Sequence, residues 1–186
     1  MTSACNAGGS CTTSSASCQF GCRAGSNTCA ACRQKNGNNL LSNPGFDGSR
    51  EGWTVPGGNV YSTADVEGCS ASGSLLMTDF TNELSQCQNI TAGARYLFGF
   101  RFRAQPAGGN GYCDVSFYPG LDCTGDAIFD GNGVPAQVGP PGSSWGEASG
   151  SATAPGNVAS ARMFCIAAIG FGNYDQLYLS RTTIGF

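Results

Sequence analysis

Tyr96-Leu97-Phe98-Gly99-Phe100-Arg101-Phe102-Arg103 is the stretch that decides the fold. Side chains in a strand alternate between faces, so Phe98, Phe100 and Phe102 share one side, with Gly99, Arg101 and Arg103 on the other. A helix would scatter those three rings around its circumference. Tyr112-Cys113-Asp114-Val115-Ser116-Phe117-Tyr118 repeats the alternation. Cys113, Val115 and Phe117 take its inner face; Tyr112, Asp114, Ser116 and Tyr118 take the outer.

Outward from these two segments, the same reasoning predicts strands at 39–43, 59–64, 74–80, 84–90, 126–130, 146–153, 160–168 and 174–181. Turn formers separate them, among them Pro56-Gly57-Gly58, Ala107-Gly108-Gly109-Asn110-Gly111 and Pro140-Pro141-Gly142. No segment holds a convincing helical period. Some ten short strands with glycine-rich turns predict an all-β, two-sheet jelly-roll sandwich over 38–186.

Composition agrees. Only 11% of the 186 residues are charged, 29 are glycine, and 40% are hydrophobic, with eleven Phe to fill a core. Nine basic residues, Lys35 the sole lysine, and a net charge of −3 exclude the dense basic face that nucleic-acid binding demands. No apolar run approaches the roughly 18 residues of a membrane span. Met1-Thr2-Ser3-Ala4 lacks the features of a signal peptide, so the expectation is a signal already removed and a secreted or cell-surface protein.

Eleven cysteines point the same way. That density implies disulfides and an oxidising compartment. Zinc is the rival, but the chain has no histidine, and only Cys29 and Cys32 show the paired spacing of a structural site. Cys5, Cys11, Cys18, Cys22, Cys29 and Cys32 crowd a head poor in apolar side chains, which three bridges could staple in any of fifteen pairings. Residues 1–37 therefore read as a cysteine-rich mini-module and linker.

Cys113 and Cys165 both fall on inferred inner faces and can bridge strands across the core. Cys87 and Cys123 are then candidate partners, leaving Cys69 unpaired; Cys69–Cys87 is an equal alternative. A leftover thiol either links copies of the chain or lies buried and inert, and a bridge shared by the two segments is a further option.

The residues Asn39-Leu40-Leu41-Ser42-Asn43-Pro44-Gly45-Phe46-Asp47 with Gly52-Trp53 resemble the opening of carbohydrate-binding modules of the family 4/9/22 type. Ser72-Gly73-Ser74-Leu75, Leu84-Ser85-Gln86-Cys87, Ala92-Gly93-Ala94-Arg95-Tyr96, Trp145, Ala154-Pro155, Ser160-Ala161-Arg162 and Tyr174-Asp175-Gln176-Leu177-Tyr178-Leu179 follow in the matching order. The resemblance covers Asn39 to about Phe186 and implies a galactose-binding-domain-like jelly roll. Trp53 and Trp145 are candidate sugar platforms, but the resemblance implies that both plug the sandwich. It also implies a structural calcium held by Asp47 and Asp175 with main-chain oxygens, since calcium takes six to eight oxygen ligands.

Tyr112, Tyr118, Arg101, Arg103 and Asp114 all alternate with core residues. If their face is the concave one, they form a carbohydrate groove, with guanidinium and carboxylate groups making paired hydrogen bonds to hydroxyls; otherwise they are a solvated surface with cross-strand ion pairs. Lack of histidine excludes Ser-His-Asp and Cys-His nucleophiles. No Asp or Glu stands in a recognisable glycosidase setting, so no catalysis is expected. The function expected is non-catalytic binding of a polysaccharide or cell-surface glycan. The alternative is a structural or adhesive extracellular protein that self-assembles through its sandwich and head. Asn89-Ile90-Thr91 fits the N-glycosylation pattern.

Overall fold

The computed structural model describes residues 4–5, 11–13, 16–17, 38–69, 72–78, 81–129, 134–136 and 144–182. In the head, β1 (Ala4–Cys5), β2 (Cys11–Thr13) and β3 (Ala16–Ser17) form a small antiparallel sheet in the order β1-β2-β3. The pairings among the six head cysteines lie outside the described residues.

All other strands belong to one sheet that folds over on itself into a two-layer jelly roll. They are β4 (Val60–Ser62), β5 (Ser74–Met77), β6 (Leu84–Asn89), β7 (Arg95–Tyr118), β8 (Ile128–Phe129), β9 (Val134–Ala136), β10 (Gly146–Thr153) and β11 (Ser160–Arg181). The path runs β10-β7-β11-β5-β4, with β6 also on β11, and β8 and β9 on β7.

The frame is the antiparallel pair β7/β11, in register from Tyr118↔Ser160 to Tyr96↔Arg181. In the first layer, residues 95–104 of β7 lie between β10 and residues 172–181 of β11, followed by β5 and β4. In the second, residues 109–118 of β7 carry β8 and β9, and residues 160–170 of β11 carry β6. Between layers the register breaks at Ala167/Ile169 and Gly170/Gly172. The sequence reads two strands and a glycine-rich turn at 107–111, whereas β7 runs through it. Cross-strand partners on β11 hold 109–111 extended, and the register breaks beside them supply the bend.

The inward faces meet in one core. Phe98, Phe100 and Phe102 from the first layer join Cys113, Val115 and Phe117 from the second, with Leu75, Met77 and Met163. At the bend, Phe102 fills space that side chains on two glycines would occupy. A Cβ on Gly111 would stand 2.6 Å from the Phe102 ring, and one on Gly172 would stand 2.2 Å from it.

The expected strand at 39–43 reduces to one bridge, Asn39↔Ser180. Asn39 instead donates its side-chain amide to Leu177 O, while its Oδ1 accepts from Leu41 N and Leu179 N. Trp53 is buried beside Phe46 and donates its indole N–H to Asn43 O, as a core plug should. Cys87–Cys123 and Cys113–Cys165 are both formed, with Cα atoms 6.0 and 4.0 Å apart. Cys69, expected unpaired, is buried and disulfide-bonded. Its alternative partner Cys87 is taken by Cys123. Among the described residues no helix is long and apolar enough to cross a membrane.

Candidate functional site

The five residues predicted to line one groove divide between two surfaces, because β7 changes layers between Arg103 and Tyr112. Arg101 and Arg103 are on the outside of the first layer; Tyr112, Asp114 and Tyr118 are on the outside of the second. There Asp114 is fully buried and Tyr118 only 7% exposed. Asp114 accepts from Tyr112 Oη at 2.9 Å and from Val115 N at 2.7 Å. Cys123 draws its loop against this side through its bond to Cys87, and Cys123 N donates to Ser160 Oγ. Alternation places these residues on an outer face but carries no signal that a distant loop covers it. The Arg162 guanidinium lies over Tyr118 and Phe164, at 5.8 and 5.7 Å, and pairs with Glu83 at 3.3 Å.

On the first layer's outer face the β10 side of β7 is open, whereas the β11 side is covered at Asn173 and Asp175. Arg101 Nη2 lies 2.7 Å from Glu147 Oε2 on β10, with their side chains 37% and 51% exposed. Arg103 stacks over Trp145, 5.0 Å from the ring centroid. Trp145, expected in the core, is therefore a half-exposed surface ring: it precedes β10 opposite Arg103, on the outward side. At the other end of Arg101 lies Tyr178. A Cβ on Gly99 would stand 2.6 Å from Tyr178 Oη and 2.7 Å from Cε1, so the phenol lies across a residue without a side chain. Partial burial raises the Tyr178 pKa, and Ser149 hydrogen-bonds its hydroxyl. Simple alternation from buried Tyr174 would turn Tyr178 inward. The irregularity after Asp175, with Gln176 at φ 47°, turns it out. No local sequence signal announces that bulge.

Asp175, Asp47 and Asp65 gather at this bulge. The positions of Asp47 Oδ1 and Asp175 Oδ1 are each 3.8 Å from the point where a Gly45 Cβ would be, with Ser72 Oγ at 3.6 Å. Asp175 is fully buried and accepts from Val66 N and Gln176 N. Asp65 Oδ1 accepts from Glu67 N and Cys69 N, which shapes the loop over Asp175. Burial, then the neighbouring Asp65, push the Asp175 carboxyl up to about 8 against the pull of its two backbone donors. Among the described residues, no three acidic, histidine or cysteine side chains close into a ready metal cage. Even so, three oxygens surround the vacant side of Gly45, and a buried carboxyl lacks a counter-charge. That donor chemistry suits a hard cation. Because Asp175 is sealed from solvent, no glycosidic oxygen can reach it as it would a catalytic acid.

Asn89 of the glycosylation pattern is exposed, and its Oδ1 accepts from Asp122 N at 3.1 Å.

The first layer thus presents two rings and an ion pair on the exposed part of its outer face. No protein-family model and no curated protein matches the chain. Among solved structures it is similar to the CBM22-1 xylan-binding domain of Paenibacillus barcinonensis Xyn10C, at 13% identity and TM-score 0.56, covering 82% of this chain and 99% of that one. It is also similar to the CBM22-1–GH10 modules of Clostridium thermocellum xylanase Xyn10B complexed with xylohexaose, at 13% identity and TM-score 0.58, over 78% of this chain. The enzymatically active domain of bacteriophage CBA120 tailspike protein 4 matches at 16% identity and TM-score 0.55, again over 78% of this chain. The chain spans only 29% of the xylanase and 22% of the tailspike. At these identities the likeness is one of fold.

Proposed function

We propose that this protein is a non-catalytic carbohydrate-binding module, secreted or at the cell surface, that holds a polysaccharide or glycan on the outer face of its first layer. The observation that carries the reading is Tyr178 lying across Gly99 beside the Arg101–Glu147 pair. An aromatic face offers a flat apolar platform to the C–H face of a sugar ring, and the adjacent charged groups meet its hydroxyls. Trp145, backed by Arg103, is the second platform. The xylan-binding domain among the solved neighbours lends support through fold alone. Residues 1–37 are read as a separate disulfide-stapled module.

Asp47 and Asp175, with main-chain oxygens and Asp65 close by, would hold a structural calcium. Bound there, the ion would supply the missing counter-charge and tie the 44–47 and 65–69 segments to β11.

The test is retention on insoluble xylan, cellulose and chitin, backed by a glycan array. Wild type should bind at least one. Tyr178→Ala, with its circular-dichroism spectrum unchanged, should bind about tenfold more weakly, the usual loss at an aromatic anchor. If nothing binds and the protein instead forms concentration-dependent polymers on a non-reducing gel, the reading fails in favour of a structural or adhesive role.

A further inference from the structure

The charge pattern of the same face deepens that reading, on which this inference rests. The chain is acidic overall, at −3. Yet β7 places Arg95, Arg101 and Arg103 at alternating outward positions, opposed on β10 only by Glu147. Arg95 spends a donor on Ser151 Oγ, 2.8 Å away. Arg103 has no carboxylate within ion-pair distance among the described residues; its one partner is the Trp145 ring. Acidic groups do border the face. Asp175, opposite Arg101 in register, is buried beneath its loop, and Asp65 is bound to that loop's own amides. Glu67 sits on the same loop.

Arginine is the side chain best shaped for planar, two-point contact with a carboxylate. Its stacking on Trp145 leaves the guanidinium edge, where the donors are, free to meet one. From Gly99 to Arg103 the strand advances roughly 13 Å, so Tyr178 and Trp145 bracket the arginine pair at the spacing of a short oligosaccharide. We infer that the ligand is an acidic glycan whose uronic-acid carboxylates meet Arg103 and Arg101 while neighbouring sugar rings rest on Tyr178 and Trp145. A neutral chain would leave Arg103 unanswered.

Affinity electrophoresis of the whole protein through gels containing polygalacturonate, fully methyl-esterified polygalacturonate or neutral xylan tests this. Retardation should be strongest with polygalacturonate, weaken as salt rises, and drop with the ester, which keeps the sugar and removes the charge. Arg103→Gln should weaken polygalacturonate binding about tenfold, the scale of one charge-assisted hydrogen bond. Arg50→Gln, which removes a charge elsewhere, should not. Equal, salt-independent retention by the acid and its ester overturns the inference while leaving a glycan module standing, as does an undiminished Arg103→Gln of native melting temperature. No retention by any of the polymers overturns both.

Discussion

Asp175 shows how one buried group can set the protein's response to pH. Its carboxyl ordinarily titrates near 3.8, and in the folded protein it is raised to about 8. Between those values the folded state holds a proton that the unfolded state has released, so this group's contribution to stability falls as pH rises through the window. In chelator, the melting temperature should drop between pH 5 and 8. Asp175→Asn should flatten that slope, and millimolar calcium should restore wild type at pH 8. A melting temperature insensitive to both pH and calcium would remove Asp175 from any metal role. Gly45→Ala adds a second check. The new methyl fits, but it sits among three oxygens and should abolish the calcium response without unfolding the protein.

Among elements, the β7/β11 pair does most to define the molecule, and the mutations that matter lie at its bend. Gly172→Val would drive a side chain into Phe102 and should destabilise strongly, through a clash in a close-packed core. Phe102→Ala alone should cost about 3–5 kcal/mol by leaving a cavity. Combined, the two should cost less than their sum, because each relieves what the other creates; additive denaturation midpoints would contradict this packing. Opening Cys113–Cys165, which closes 52 residues, should cost about 4 kcal/mol on the chain-entropy scale. The alternation of Phe98, Phe100 and Phe102 is legible because it depends only on neighbours in sequence. That β7 continues through 107–111 is not legible there, since it depends on pairing with residues some sixty positions away. The same cause separates Tyr112, Asp114 and Tyr118 from Arg101 and Arg103. It also explains why Tyr178 and Trp145 escape a reading by parity: one is re-aimed by a bulge, the other placed by a strand partner. The resemblance singles out Asp47 and Asp175, and in the structure both lie at the edge of Gly45.

For the whole molecule, the disulfides say how its parts are joined. Cys87, Cys113, Cys123 and Cys165 are spent on one another, while Cys69 is also bonded. Within a single chain, only the six cysteines before residue 33 are left to bond with it. Non-reducing peptide mapping should find the Cys69 peptide attached to one from residues 1–32; alkylation of Cys69 without reductant would refute this. Such a bond closes a covalent ring around the 33–38 connector and the segment bearing Asp47 and Asp65. Cutting that connector would therefore nick the protein without releasing either piece, and the two fragments should separate on a gel only after thiol treatment.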